Sequence, residues 1–475
     1  MILAIDCGTT GTRALVFDAS AKCLASHYEP LDLSCPKPAW VEQDPEAIWQ
    51  KTRLAISKVL EAVDAKAIEG VALTNQRETT LLWDKRTGVP FYPAISWQCR
   101  RTEAICARYK DQESDIKTKT GLALDAYFSA PKVRWILEEV PEAKRAYEAG
   151  YLMAGTVDSW LIWHLSAKKD FVTDASNASR SLVMDIHQGS YCSGLLDLFG
   201  LKEVILPTIK DHNSSFGMLD EALFGIKVPI LAVLGDQQAS LYALCEEDSS
   251  LAKCTYGTGL FFNQYLAQDA KQIEGLLTTV VMKKTGHCDY ALEGSMFMGG
   301  ALVSWLKDTL AFFDSFDELD TLLEHANSQS ELVFIPALVG LGAPYWRSDI
   351  SGQFLGLRQK STKADMIKAV LESIALQVFD CVEALAQKPK RLRVDGGVSQ
   401  NRWLMQLQAN VLGIPLDVLE FSDATVFGVS KLAAGVLGYD LADWHLSSRE
   451  IMPISEPPKA LITRWSNSIK RALVL

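Results

Sequence analysis

The stretch Ala4–Asp18, AIDCGTTGTRALVFD, decides how the rest of the chain is read. An apolar run closes at Asp6, a Gly/Thr segment follows, and a second apolar run begins after Arg13. That order reads strand, tight turn, strand. Gly8 and Gly11 permit positive φ, so the N–H groups of the turn can converge on an anion. Thr9, Thr10 and Thr12 add hydroxyls, and Arg13 adds a planar cationic fork. Asp6 ends a buried strand and can hold Mg²⁺ through water, because Mg²⁺ favours oxygen ligands and keeps several of its waters. There is no Gly-Lys-Ser/Thr ending, which excludes a Walker A loop. The tripeptide Gly-Thr-Thr alone reads equally well as an ordinary hairpin turn. The longer Asp-x-Gly-Thr-Thr with an arginine behind it favours phosphate binding.

The same pattern returns in mid-chain. CTYGTGLFFNQYL, Cys254–Leu266, again reads strand, Gly/Thr turn, strand. Two such hairpins, each at the head of about half the chain, predict two related α/β domains that grip a nucleotide across a cleft. The break is expected where CEEDSS (Cys245–Ser250) interrupts the apolar pattern, dividing the chain into 1–245 and 246–475. A third glycine-rich turn, Asp395-Gly396-Gly397, follows a strand-like run and precedes a helix beginning near Asn401; it would let a nucleoside approach the backbone closely. Strand-like runs include Ile2–Ile5, Gly70–Thr74, Leu231–Leu234 and Lys253–Tyr256. Helical patterns include Asp44–Val63, Lys132–Glu139, Met298–Phe312 and Lys363–Ala386. Their alternation predicts α/β layers, and Asp44 with Pro45 and Glu46 marks a helix start.

Composition bounds the function. With 475 residues the chain is too long for one ordinary core. Its net charge of −11 leaves no bulk attraction for a polyanion, which argues against nucleic-acid binding. Backbone N–H groups and Mg²⁺ can still hold ATP against that field. The ten cysteines form no CxxC pair and the seven histidines no metal-binding spacing. Neither a signal peptide nor a membrane span is expected, since prolines and glycines break the apolar stretch Leu332–Trp346. These features predict a cytoplasmic enzyme without membrane insertion.

The motifs together resemble the FGGY family of carbohydrate kinases, in its glycerol-phosphorylating branch, within the wider actin-like ATPase fold. LTNQRETT (Leu73–Thr80), SWQCRRT (Ser96–Thr102), YFSAPKVRW (Tyr127–Trp135), GTVDSWLIW (Gly155–Trp163) and NASR (Asn177–Arg180) carry it through the first half. GDQQA (Gly235–Ala239), TYGTG (Thr255–Gly259), GLGAPYW (Gly340–Trp346), GQFLGL followed by DMIKAVLE (Gly352–Glu372) and VDGG (Val394–Gly397) carry it onward. The resemblance implies an α/β fold of two actin-like, ribonuclease H-like ATPase domains flanking a catalytic cleft. It implies phosphoryl transfer from ATP, with Mg²⁺, to glycerol. Arg77, Glu78, Asp236 and Gln237 would make the polar contacts with the polyol, with Tyr127 adding a phenol. Trp97 and Phe261 would form its apolar walls. Asp236 would act as general base, and Asp6 (through water) and Asp236 would face the metal. The nucleotide would touch Thr9, Thr10, Gly11, Arg13, Gly257, Thr258, Gly300, Ser304, Gly397 and Asn401. Outside that context Arg77–Glu78 reads as a surface ion pair, Trp97, Tyr127 and Phe261 as core aromatics, and Asp236 as a helix cap.

The sequence departs from the family in two places. Many relatives carry glutamine where Ser304 stands, and serine reaches less far toward a nucleotide base. Some bacterial relatives bind fructose 1,6-bisphosphate at a Gly- and Arg-rich loop, or carry a phosphorylatable histidine there. The matching segment EALFGIKVP (Glu221–Pro229) has no arginine, and Ala222 stands at the histidine position, so neither control is expected. A homo-oligomer, dimer or tetramer, is expected. The competing readings are a kinase for another small polyol or ketose, such as erythritol or dihydroxyacetone, and a non-catalytic ATP-switch sensor.

Overall fold

In a computed structural model that describes residues 1–316, 318–420 and 423–474, each half of the chain is built on its own sheet, and the two sheets share one design. The first comprises β1 (Ile2–Cys7), β2 (Gly11–Phe17), β3 (Cys23–Pro30), β4 (Gly70–Asn75) and β5 (Ile230–Gly235) in the order β5-β4-β1-β2-β3. β1, β2 and β3 form an antiparallel meander, while β4 and β5 join β1 in parallel. The second sheet contains β6 (Leu251–Tyr256), β7 (Leu260–Ala267), β8 (Leu277–Lys284), β9 (His287–Met296), β10 (Arg391–Asp395), β11 (Leu416–Leu419) and β12 (Ser448–Ile451). Its order is β8-β9-β7-β6-β10-β11-β12. Without the edge strands β8 and β12 it repeats the first sheet: an antiparallel β6-β7-β9 meander with β10 and β11 parallel beside β6. The chain therefore forms two related α/β sheets, as the paired hairpins foretold, with the repeated strand order expected of the ribonuclease H-like domains that the family resemblance implies.

Helices cover these sheets because their apolar residues fall on one face. α1 (Pro45–Glu61) starts where expected: Asp44 accepts the Glu46 N–H at 2.9 Å and Pro45 occupies the first turn. It buries Ile48, Ala55, Ile56 and Val59 against the first sheet. α2 (Ser129–Glu139) begins three residues earlier than the pattern from Lys132 indicates. α3 (Asp236–Cys245) follows β5 directly, with Gly235 as its cap and Asp236 as its first residue. Asp236 is therefore not the cap; the extended Gly235 takes that place and donates its N–H to Ser176 Oγ at 2.8 Å. The region Met298–Phe312 is not one continuous helix. The N–H groups of Gly299 and Gly300 are drawn onto the carbonyls of Thr258 and Gly257, so helix begins only at Gly300, and a π-helical turn spans Trp305–Thr309.

In the second half, α4 (Lys363–Glu383) opens on a Thr362/Asp365 capping box, α5 (Arg402–Leu412) is capped by Asn401, and α7 (Lys459–Val474) closes the chain after α6 (Ala424–Leu437). α6 ties the halves together. It packs Val426, Phe427 and Val429 into a core with Ile2, Ala4, Ala72 and Leu234 of the first sheet. It also crosses α3 so closely that a Cβ on Gly428 would sit 1.9 Å from the Ala239 carbonyl. Only glycine fits there, and the approach carries Thr425 to Asp6. All ten cysteines are free, and among the described residues no helix is long and apolar enough to cross a membrane.

Candidate active site

The two hairpins meet at the C-terminal ends of β1 and β6, where α/β sheets leave a crevice. In the first, the Gly8 N–H closes on the Gly11 carbonyl at 2.9 Å and turns Thr9 and Thr10 outward. In the second, Gly257 and Thr258 face the Gly299–Ala301 backbone, which they hold through their carbonyls. Two cavities open here, one between the two hairpins and one lined wholly by the second half of the chain. The smaller, about 220 Å³, is lined by Asp6, Thr9, Thr10, Arg77, Glu78, Trp97, Tyr127, Asp236, Gln237 and Phe261, with Gly257 and Thr258 at one side. The larger, about 940 Å³, shares Gly257 and Thr258 and runs on past Gly300, Ser304, Gly397 and Asn401. All seven residues expected at the polyol thus line one cavity, and six of those expected at the nucleotide line the next.

Gly11 and Arg13 do not line either cavity. A Cβ on Gly11 would overlap the outer end of the Tyr28 ring, so that half-exposed side chain would have to swing aside. Arg13 turns away from the hairpin tip to pair with Asp423 and lies over Tyr28. This partner is more than 400 positions distant in sequence, so the hairpin motif alone gives no sign of it.

The polar end of the small cavity rests on a buried ionic cluster. Arg77 and Glu78 are no surface pair; both are 2% exposed. Arg77 Nε lies 3.2 Å from Asp236 Oδ1 and 3.9 Å from Glu78 Oε1. Its terminal nitrogens grip Glu293 at 2.6 and 3.1 Å. Arg180 donates to Glu78 Oε1 at 2.5 Å and to Glu293 Oε1 at 2.8 Å. Burial alone would push the Glu293 carboxyl up, but Arg180 and Arg77 outweigh it and hold the group far below the usual range. Glu78 sits at φ 59°, a strained conformation for a non-glycine residue. Its carbonyl is held by the buried Lys132 ammonium at 2.9 Å, which also reaches the Tyr127 carbonyl at 2.7 Å. Desolvation pushes the Lys132 amine down to about 7. Gln237 is oriented too: its Oε1 accepts from Lys253 Nζ at 2.5 Å, which leaves the Nε2 donors for a ligand. The apolar wall is a T-shaped cluster in which Trp97 stands 5.8 Å from both Tyr127 and Phe261. Trp97 Nε1 donates to Thr9 Oγ1 at 2.8 Å, linking the wall to the first hairpin.

Glu293, Arg180, Lys132 and Lys253 were not among the residues the sequence nominated. Arg180 and Lys132 lie inside quoted motifs, so the signal was present without a role attached. Glu293 lies in β9, whose hairpin with β8 was not anticipated.

Two carboxylates suit a cation. Asp6 lines the small cavity, and desolvation together with the like charge of Asp236 pushes its carboxyl up to about 7, against a Thr425 hydrogen bond at 3.1 Å. Desolvation also raises Asp236, with Arg77 pulling the other way. Among the described residues no three His, Cys, Asp or Glu side chains converge as a complete metal site. A pair of carboxylates beside the Gly8–Gly11 turn fits Mg²⁺, which takes one or two protein ligands and fills the rest of its shell with water or ligand oxygens.

Residues 1–243 match the N-terminal domain of the FGGY family of carbohydrate kinases and 252–436 match its C-terminal domain. A glycerol kinase of Caldanaerobacter subterraneus subsp. tengcongensis is 39% identical over 99% of this chain and 98% of its own. Glycerol kinase 1 of Clostridium tetani is likewise 39% identical over 99% and 98%. Among solved structures, Plasmodium falciparum glycerol kinase with ADP superposes with a TM-score of 0.90 at 29% identity, covering 100% of this chain and 98% of that one. A ligand-bound xylulose kinase from Lactobacillus acidophilus reaches 0.85 at 21% identity, covering 100% and 98%, a likeness of fold.

Proposed function

The chain belongs to the FGGY family of carbohydrate kinases, and within it we propose that this protein transfers the γ-phosphoryl group of ATP to glycerol, giving sn-glycerol 3-phosphate. The observation that carries this reading is the junction of the two cavities at Gly257 and Thr258. A polyol in the smaller one and a nucleotide in the larger would meet there, with the phosphate hairpins on either side. The small volume and the full-length likeness to glycerol kinases both favour glycerol over a larger sugar.

The chemistry follows from the side chains. A neutral polyol needs acceptors and donors for its hydroxyls and apolar surface for its carbons. Glu78 Oε2 and Asp236 Oδ2 receive no hydrogen bond from a described residue and can accept; Gln237 Nε2 can donate. Asp236 is the general base. Its Oδ1 is fixed by the Gln237 N–H at 2.7 Å and by Arg77, so Oδ2 is the atom that takes the hydroxyl proton. Its raised pKa makes it a better base than an exposed aspartate. Thr9, Thr10, Gly257 and Thr258 orient the phosphates, and Gly300, Ser304, Gly397 and Asn401 border the nucleoside. Mg²⁺ bound beside Asp6 and Asp236 would neutralise phosphate charge. The aromatic wall excludes water, the competing acceptor.

Measuring ADP release with Mg-ATP over a panel of polyols and sugars tests this reading, with Asp236→Asn as control. Glycerol should give the highest kcat/KM, and the variant should lose about 10²–10⁴-fold in kcat. Turnover with another polyol and none with glycerol would overturn the substrate, and a fully active variant would overturn the base.

A further inference from the structure

Glu293 belongs to the second half of the chain, yet it lies behind the polar floor of a cavity whose lining carboxylates all come from the first. Its two oxygens receive five hydrogen bonds: Oε1 from Arg77, Arg180 and Ser295, and Oε2 from Arg77 and Asn263. It is completely buried, away from bulk solvent. It does not line the cavity itself.

The consequence concerns Arg77. A guanidinium beside two unpaired carboxylates would be expected to fork one of them, since bidentate Arg–carboxylate pairs are the strong ones. Here its forked edge is already occupied by Glu293. Only the Nε edge faces Asp236 and Glu78, and it meets them at 3.2 and 3.9 Å. Arg180 is divided in the same way, with Nε on Glu78 and one terminal nitrogen on Glu293. Two arginines and two glutamates therefore make a neutral buried quartet. One oxygen of Glu78 and one of Asp236 are left with no donor among the described residues.

We propose that Glu293 is a positioning residue for the polyol: by holding the terminal nitrogens of Arg77 from the opposite half, it keeps Glu78 and Asp236 available to hydroxyls rather than sequestered by arginine. Removing its charge frees the fork of Arg77 to close on Asp236. The site then satisfies itself internally and a neutral polyol no longer competes. The nucleotide cavity, which contains none of these groups, is unaffected. Because the clamp exists only when β9 lies against the first half, polyol affinity is also a property of how the halves meet.

This inference rests on the cavity being a polyol site, and the test separates the two. Glycerol-dependent ADP release is measured for the wild type, Glu293→Gln and Glu293→Asp, with thermal unfolding as a check on folding. Glu293→Gln keeps the shape and loses the charge; it should raise the glycerol KM about tenfold or more while leaving the ATP KM within about twofold. Glu293→Asp keeps the charge and loses a methylene; it should stay within about threefold of wild type for glycerol. A packing role predicts the opposite order, so a Gln variant equal to or better than the Asp variant overturns the proposal. A folded Gln variant with unchanged glycerol KM, or both KM values rising together, does the same. If the Gln variant fails to fold, the Asp variant decides alone: a tenfold rise in its glycerol KM refutes the role of charge. A wild type with no glycerol-dependent turnover would instead remove the polyol reading beneath it.

Discussion

Replacing Lys132 with methionine should separate stability from substrate binding. The ammonium is wholly buried in α2 and donates to two carbonyls, those of Glu78 and Tyr127. The Glu78 carbonyl keeps the Thr80 hydroxyl at 2.8 Å in its absence. Losing the Tyr127 bond orphans a buried carbonyl and costs about 1–3 kcal/mol. Against this stands the desolvation of the amine, whose pKa falls from 10.5 to about 7. Because the lysine pKa is lowered on folding, the unfolded chain binds more protons between those values, and stability rises with pH there. At pH 7 the penalty is roughly 4 kcal/mol, and by pH 9 it shrinks to about 2 kcal/mol. The Lys132→Met protein should therefore be at least as stable as wild type at pH 7. The comparison should swing toward wild type by about 2 kcal/mol at pH 9. Activity should follow the other path. With its strained Glu78 less firmly held, the variant should show a glycerol KM raised by about tenfold, or about 1.4 kcal/mol. Urea unfolding followed by tryptophan fluorescence at both pH values, with steady-state kinetics at pH 7, checks both. A stability difference that does not change with pH, or an unaltered glycerol KM, would contradict these roles of Lys132.

Adjacent glycines should fail differently. Gly396 has φ 93°, and a Cβ there would lie 2.5 Å from the Tyr256 carbonyl, so Gly396→Ala should destabilise the second half in an unfolding experiment by about 1–3 kcal/mol. A Cβ on Gly397 meets nothing within 4 Å, so Gly397→Ala should fold normally and raise the ATP KM by intruding on the nucleotide cavity. Trp97→Phe keeps one aromatic ring but loses the indole's pyrrole ring with its hydrogen bond to Thr9, so at least about 1 kcal/mol should be lost from a contact joining both ligands; glycerol and ATP KM values should rise together. Fructose 1,6-bisphosphate should leave activity unchanged in a direct assay. The Asp220-capped turn at Glu221–Phe224 offers an anion no arginine.

What the sequence revealed depended on how local the signal was. The hairpins at Gly8–Gly11 and Gly257–Gly259 carry their turn chemistry within a few residues, and they place β1, β2, β6 and β7 correctly. The α1 start is equally local, fixed by Asp44 and Pro45. Arg77, Glu78, Trp97, Tyr127, Asp236, Gln237 and Phe261 are scattered over the first 261 positions, and only their resemblance to a known family brought them to one site. The structure places them around one cavity. What stayed hidden was the pairing between distant charges. Arg13 reads as a phosphate ligand until Asp423 is folded against it. Glu293 reads as an ordinary charge in an apolar run, since its arginine partners stand 113 and 216 positions away. A buried ion pair has no periodicity, so neither hydrophobic pattern nor turn chemistry can announce it.

A hydroxyl of glycerol, and not water, should receive the phosphoryl group. The ³¹P spectrum of a reaction containing the protein, Mg-ATP and glycerol tests it most directly. A phosphomonoester resonance matching synthetic sn-glycerol 3-phosphate should grow in step with ADP, and it should be absent when glycerol is omitted. Inorganic phosphate growing in its place, or ADP formation independent of glycerol, would contradict the account.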